Sequence, residues 1–419
     1  MRGARSASSP NHRSRRRPRA TCGAFFAEQI DYLPGLSSSE KAARLKRISL
    51  KASLEQHARV HSQIVKYYQE RPHGGLGVGI DAVAALRGLF YLPDAVPAGL
   101  GIQESFTQLM RSEAYINHFP DGNASVARLL VRSLIPASAP GHTMEDIVTA
   151  RMNCAALDRA GAPIRIRLNS TAVRARNEED RGVARGVELI YVNSGKSYRV
   201  RADHAILACW NMMIPYLCPE LPQAQREALS YCVKVPLIYG TVLIRNWRAL
   251  KNLGVSTAYC PGSYFSEVYM DFPVSMGNYH YTSSPDGPCL LHLVRTPCLP
   301  GAPIKHQHRA GRAEIYATKF ETFEYRVRNR LGRMFAAGGF DPYRDIEAIT
   351  INRWPHGYAY SYSSLWDPEW PEGQEPHVLG RQRFGRISIA NADSGGEAET
   401  SIAIEQALRA VQEVMATGI

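Results

Sequence analysis

Residues 385–415 read GRISIANADSGGEAETSIAIEQALRAVQEVM. Arg386-Ile387-Ser388-Ile389-Ala390 has the apolar character of a short buried strand, and it ends at Asn391-Ala392-Asp393. A loop of small residues, SGGEAE, follows. Thr400 or Ser401 is then placed to cap a helix that carries Ile404, Leu408, Val411 and Met415 on one face. A strand, a carboxylate at its end, a Gly-rich turn and a helix N-terminus together make a ligand-binding geometry of α/β sheets.

Working back from that turn, residues 163–209 change period. Ile164-Arg165-Ile166-Arg167-Leu168 alternates as a strand does, and Val173 follows. NEEDRG turns the chain, and Val187, Leu189 and Tyr191 resume the alternation. After Asn193-Ser194-Gly195-Lys196, Tyr198-Arg199-Val200 leads into Ala205-Ile206-Leu207-Ala208. That is a β-meander feeding a short apolar strand.

Helical periodicity marks 31–72, where Ser37 and Glu40 fit a capping box. It also marks 119–135, with Asp121 or Asn123 as cap and Gly122 allowing close approach. A third helix is read over 313–334, with Tyr316, Phe320, Phe323 and Val327 on one stripe. His57 and His61 would share a helix face, but no acidic or Cys partner stands nearby, so no metal site is assigned.

RPHGGLGVGIDAV (71–83) looks at first like a phosphate-binding loop. Such a loop must follow an apolar strand, and the polar IVKYYQERPH precedes this one. Its GxGxG spacing also departs from GxGxxG. A turn with close backbone packing is expected instead.

The 419 residues allow two or three ordinary domains or one large two-lobed one. No run approaches the roughly 18 apolar residues of a membrane span; AILACWNMMIPYLC (205–218) is too short and contains Asn211. The formal charge is +12, and the first twenty residues hold seven arginines and no acid, so 12 − 7 = +5 remains without them. Residues 1–30 read as a basic disordered tail. No aromatic residue interleaves with its arginines, which argues against nucleic acid as a partner. The eight cysteines form no CxxC pair, which removes the zinc and dithiol readings.

RWPHGYAYSYS is the most chemically suggestive strand. At a period of two, Trp354, His356, Tyr358 and Tyr360 face one side, with Gly357 and Ala359 opposite. An indole, an imidazole and two phenols in a row could enclose an amine, and His356 could accept a proton near neutral pH. The competing reading is an aromatic strand facing a core. Asp367, Glu369, Glu372 and Glu375 follow; they could steer a cation or simply line a solvated loop.

DYLPGLSSSEKAARL (31–45), RPHGGLGVGIDAV (71–83), HFPDGNASVARLLVRSLIP (118–136), LACWNMMIPYLCPELP (207–222), HLVRTPC (292–298), INRWPHGYAY (351–360) and GRISIANADSGG (385–396) resemble, in this order, the FAD-dependent amine oxidoreductases, most closely the bacterial spermidine dehydrogenase-like branch. The resemblance implies an α/β (mixed α+β) protein with an incomplete Rossmann-like FAD lobe at 161–209 and 381–419. A substrate lobe would occupy 31–160 and 210–380. It implies FAD as cofactor and a small-molecule amine, plausibly a polyamine such as spermidine, as substrate; the electron acceptor is unknown. Some relatives carry haem, but the chain has no CxxCH.

By position, the resemblance implies cofactor contacts at Val173, Ala208, Cys209, Asn391, Asp393, Thr400, Ser401 and Ile402. It implies that Trp354, His356, Tyr358 and Tyr360 line the substrate or flavin site. No strand with GxGxxG and a following acid precedes residue 31, so the resemblance further implies a member lacking its N-terminal ADP-binding βαβ portion. The competing expectation is a non-catalytic homologue, or a subunit needing a separate ADP-binding chain. A cytoplasmic location is expected as written, a periplasmic one if a longer N-terminus exists.

Overall fold

The computed structural model of the chain describes residues 30–92, 95–101 and 118–416. The basic tail lies outside the described residues. Helix α1 (Ser38–Lys46) starts on the expected capping box: Ser37 Oγ accepts from Glu40 N–H, and Glu40 Oε2 accepts from Ser37 N–H at 2.8 Å. The helix read over 31–72 is broken, however. Ser49 caps a new start, Arg59 sits at φ 52°, and α2 (Ser62–Tyr68) begins on His61, whose Nδ1 accepts from Gln63 N–H. His61 therefore serves as a helix cap. Leu45, Leu50, Leu54, Ile64, Ile80 and Leu89 close a core beneath these helices. Helix α3 (Asn123–Leu134) begins at Gly122, φ +63°, without a side-chain cap, and Asp121 pairs with Arg128 instead.

The alternation at 164–168 does not make a strand. Arg165 and Arg167 both turn to Asp158, and no neighbouring strand offers a ladder. The meander begins later, as β1 (Ser170–Asp180), β2 (Val183–Asn193) and β3 (Lys196–Ala202), all antiparallel. It feeds β4 (Ala205–Leu207), and α4 (Gln223–Tyr231) follows.

A five-stranded sheet of order β6-β7-β8-β5-β9 comes next. It is built from β5 (Val235–Ile244), β6 (Thr257–Tyr259), β7 (Glu267–Met270), β8 (Cys289–Arg295) and β9 (Ile346–Tyr358), with α5 (Arg248–Leu253) after β5. The helix read over 313–334 is two helices, α6 (Ile304–Ala317) and α7 (Phe320–Phe335), parted at Thr318-Lys319. Phe323 and Val327 are buried while Tyr316 and Phe320 are exposed, so the stripe read as one is divided.

Strand alternation gives this sheet two unlike faces. Ile238, Val242, Leu291 and Leu293 pack with Phe323, Val327 and Leu331 of α7 in one core. On the other face, pairing of β5 with β8 and of β8 with β7 aligns Tyr239, Val294 and Glu267 in one row. That second face meets the segment 71–83. There the glycines serve close packing: a Cβ on Gly75 would overlap the Tyr91 hydroxyl, and one on Gly77 would overlap Val235.

The turn that opened the sequence reading folds as expected at its strand. β10 (Ile387–Ile389) lies parallel to β4, with Ile389 opposite Leu207, and α8 (Thr400–Met415) follows. Ala175, Val187, Leu207, Ile214, Leu217, Ile387 and Ile389 share a core. Arg409 of α8 donates to the Ile389 carbonyl. Neither Thr400 nor Ser401 caps α8; Glu399 holds the cap position without a side-chain bond, and Thr400 Oγ1 instead accepts from Asn123 at 3.1 Å. The apolar stripe of α8 points outward, with Ile404 62%, Leu408 59%, Val411 46% and Met415 63% exposed. No described helix is long and apolar enough to cross a membrane.

Gly77 has φ +75° and leaves no room for a side chain. Replacing it with alanine combines a strained left-handed backbone with overpacking against Val235, at a cost of about 1–3 kcal/mol. Calorimetry of Gly77→Ala is expected to show a clearly lower melting temperature; an unchanged one would mean that the two segments separate freely there.

Candidate functional site

Parallel pairing brings the carboxyl ends of β4 and β10 side by side, and the turns that follow interlock. Asn391 Nδ2 donates to the Cys209 carbonyl at 2.5 Å and to Asn211 Oδ1 at 2.8 Å, while its own Oδ1 accepts from Ser394 N–H at 2.9 Å. Asp393, 3% exposed, accepts from Asn211 N–H at 3.2 Å and from Lys234 Nζ at 2.8 Å. Lys234 immediately precedes β5, so this one ion pair ties the parallel strands to the large sheet. Sequence reasoning picked out Asp393 as a cofactor ligand and missed Lys234, which no motif marks.

The four aromatic positions do not form a row. Two β5 residues, Val235 and Leu237, face Tyr358 and Trp354, so β9 carries extra residues there and its alternation fails. Trp354 is half-exposed and lies 5.9 Å from the Tyr239 ring. His356 stacks on Trp210 at 3.7 Å, the residue after Cys209. Tyr360 lies beyond the strand, buried, and its hydroxyl donates to Asp367 at 2.7 Å.

Asp367 is thus no solvated loop carboxylate. It also accepts from Tyr231 and from Ser363 N–H, and pairs with Lys305. Glu369, by contrast, is exposed and meets Arg47.

His356 is pushed down to about 4 by burial, helped by Arg312 and Lys234, so the ring is neutral at pH 7. A ring held so low is a weak proton acceptor near neutral pH. Arg312 donates to the Pro355 and Lys234 carbonyls and lies 5.6 Å from the Trp210 ring. Burial likewise raises the Cys209 thiol, which stays protonated.

A narrow cleft opens between segment 75–87, the end of β9 and Ala398 of the β10–α8 turn. Leu76, Val83, Val235 and Ile304 give it apolar walls; Tyr358 and Tyr360 supply aromatic ones. Burial pushes Tyr358 up to about 12, with Tyr239 adding to the shift. His308 also lines the cleft. It is 1% exposed, its Nδ1 has no partner, and burial lowers it to about 3.

The residues expected to meet a flavin dinucleotide occupy two regions. Val173 is the extra residue of a β-bulge between Ala172 and Arg174, so its backbone stands outside the ladder. Ala208 is exposed, and Cys209 and Asn391 are half-buried at the strand ends. Thr400, Ser401 and Ile402 form the first turn of α8, whose N–H groups have no intrahelical acceptor. Trp210 Nε1 and His356 Nδ1 are buried without hydrogen-bond partners. Orphaned donors and open amides beside a strand-end carboxylate fit the flavin end of a cofactor. For the diphosphate, the described residues contain no strand–GxGxxG–helix unit. Nor do they contain a His, Cys, Asp or Glu cluster suited to a metal.

No family model matches the chain, and no curated protein matches it. Solved structures do. Wild-type putrescine oxidase bound to putrescine aligns with a TM-score of 0.52 at 14% identity, over 94% of this chain and 72% of that one. A double mutant from the redesign of that oxidase's cofactor binding gives 0.49 at 13%, over 94% and 74%. Cyclohexylamine oxidase from Brevibacterium oxydans gives 0.42 at 12%, over 90% and 68%. At these identities the likeness is one of fold: the chain has the mixed α/β fold of the amine oxidases.

Removing one partner of a buried ion pair strands the other, at about 3–5 kcal/mol. Lys234→Met and Asp393→Asn are each expected to lose that much in urea denaturation, and the double variant less than the sum. Additive losses would show that the pair is not coupled. His308 has a folded-state value below its unfolded one, so protons favour the unfolded chain and stability falls as pH drops from about 6.5 toward 3. Melting curves of His308→Phe should have a shallower pH slope across that window; an unchanged slope would place the acid sensitivity elsewhere.

Proposed function

We propose that this chain is a flavin-dependent amine oxidoreductase, with a polyamine-like amine as its substrate. The observation that carries the reading is the cleft whose aromatic wall is Tyr358 and Tyr360 and whose other wall is Ala398 of the Asp393 turn. An amine seated there would touch both the tyrosine rings and the edge of the proposed cofactor position. FAD, when bound, would take the hydride equivalent from the carbon beside the amine nitrogen.

The chain's own residues prepare that transfer. The apolar walls exclude water and favour the neutral amine, which alone has a lone pair to stabilise the developing iminium. Tyr358 and Tyr360 offer aromatic surface to the nitrogen end from the cleft wall. Neutral His308, with a free Nδ1, offers a hydrogen-bond acceptor in the same wall.

A second reading is favoured by the outward apolar stripe of α8 and by the two-stranded parallel sheet. Parallel strands are ordinarily covered on both faces and extended by neighbours. In this reading a companion polypeptide supplies the ADP-binding βαβ unit and covers α8.

Purified protein incubated with FAD and passed through a sizing column is expected to keep a flavin absorbance band, which an amine should bleach under anaerobic conditions. Tyr358→Ala should slow that bleaching at least about tenfold while leaving the band. Retention of flavin only on co-expression with a βαβ-bearing chain would favour the second reading. Failure to hold flavin in either setting would overturn both.

A further inference from the structure

β9 is both the longest strand of the antiparallel sheet and its edge. It pairs with β5 on one side and with no second strand among the described residues. In an antiparallel pair every second residue turns its backbone N–H and C=O away from the partner. Outside the ladder, no backbone bond among the described residues involves 346–354. Such an edge is a template for another strand, and proteins usually guard one with charge, proline or a bulge. Here the guards stand at the ends: a bulge at Glu347, and a second one with Pro355 beyond Trp354. Between them, Ala348-Ile349-Thr350-Ile351-Asn352 carries no charge and no proline.

Regular pairing with β5 runs from Ala348 to Trp354, so Ile351 is the middle of the free edge. Ala348, Thr350, Asn352 and Trp354 share one face and are exposed, while Ile349 and Ile351 pack against the α7 core from the other. An antiparallel second copy, related by a two-fold axis at Ile351, would set Trp354 of each copy opposite Ala348 of the other, and Thr350 opposite Asn352. A half-exposed indole then covers a methyl group, a hydroxyl meets an amide, and no like charges stand opposite each other. Ile351 meets its own counterpart and carries the core across the axis. The rim agrees. Arg353 donates to the Thr318 carbonyl at 3.3 Å, where Tyr316 and Phe320 lie exposed. At the other end Tyr343, 81% exposed, stands just before β9. Antiparallel pairing brings the Tyr343 end of each copy to the Tyr316 and Phe320 end of the other.

We infer that the free edge of β9 is a self-association surface, on which a second copy of this chain pairs its own β9 antiparallel about Ile351 and joins the two sheets into one. The palindromic match singles out a second copy. An unrelated strand could bond to the same amides, but nothing would make it match small with large and polar with polar in both halves. The inference uses no residue of the cleft and stands apart from the amine-oxidoreductase reading.

Sedimentation velocity of the purified chain at micromolar concentration should show a species of twice the chain mass; a monomer throughout would overturn the inference. A charge swap at exposed positions then locates the contact. Thr350→Glu with Asn352→Glu sets carboxylates opposite each other in both symmetry-related pairs and should weaken the dimer at least about tenfold. Thr350→Glu with Asn352→Lys sets opposite charges there and should keep it. A dimer indifferent to the first combination, or lost equally in both, would place the contact elsewhere and overturn the inference. Hydrogen exchange of the wild type gives a reading that needs no variant. Protection of the 348–354 amides should rise with protein concentration, and protection independent of concentration would count against the pairing even if a variant does not fold.

Discussion

The buried contact between Lys234 and Asp393 is the constraint on which the architecture turns. Asp393 belongs to the turn after a parallel strand, and Lys234 to the residue before the longest-paired strand of the antiparallel sheet. A charge at 3% exposure persists only if it is paired and hydrogen-bonded. Here the ammonium and the Asn211 amide satisfy both carboxylate oxygens, and in doing so fix the distance between the parallel strand ends and the start of β5. Asn391 secures the same junction by donating to the Cys209 carbonyl, which bonds the two turns to each other.

That junction places two unlike sheets where a ligand could touch both. The antiparallel sheet spends one face on a core shared with α7 and presents the other, rich in tyrosine, to the glycine segment 71–83. The glycines determine how near that segment comes, because a side chain at Gly75 or Gly77 would collide with Tyr91 or Val235. The resulting cleft is apolar at the Ile304 and Val83 side and aromatic at Tyr358 and Tyr360. Its histidine, His308, is held neutral by burial.

The polar groups fall into two sets. Asp367, read from the sequence as part of an exposed acidic loop, collects Tyr231, Tyr360, Ser363 and Lys305 and is fully employed in structure. Trp210 Nε1, His356 Nδ1 and the first amides of α8 have no side-chain partner among the described residues. Folding ordinarily satisfies such groups, and the stacked Trp210 and His356 lie beside the strand end that carries Cys209.

Several features were legible in the residues alone because they are local. The strand Ile387–Ile389, the carboxylate at 393, the helix beyond it, the meander and the Ser37–Glu40 cap all follow from period and capping chemistry within a dozen residues. The rejection of 71–83 as a phosphate loop was local too, since its preceding segment is polar. Only tertiary structure decided the rest. Arg165 and Arg167 gave up a strand for Asp158, the extra residues in β9 dispersed Trp354, His356, Tyr358 and Tyr360, and Lys234 acquired meaning from a partner found across the fold. A side chain's period is written in its neighbours along the chain; its charge balance depends on residues distant in sequence, and that sum exists only once the chain has folded.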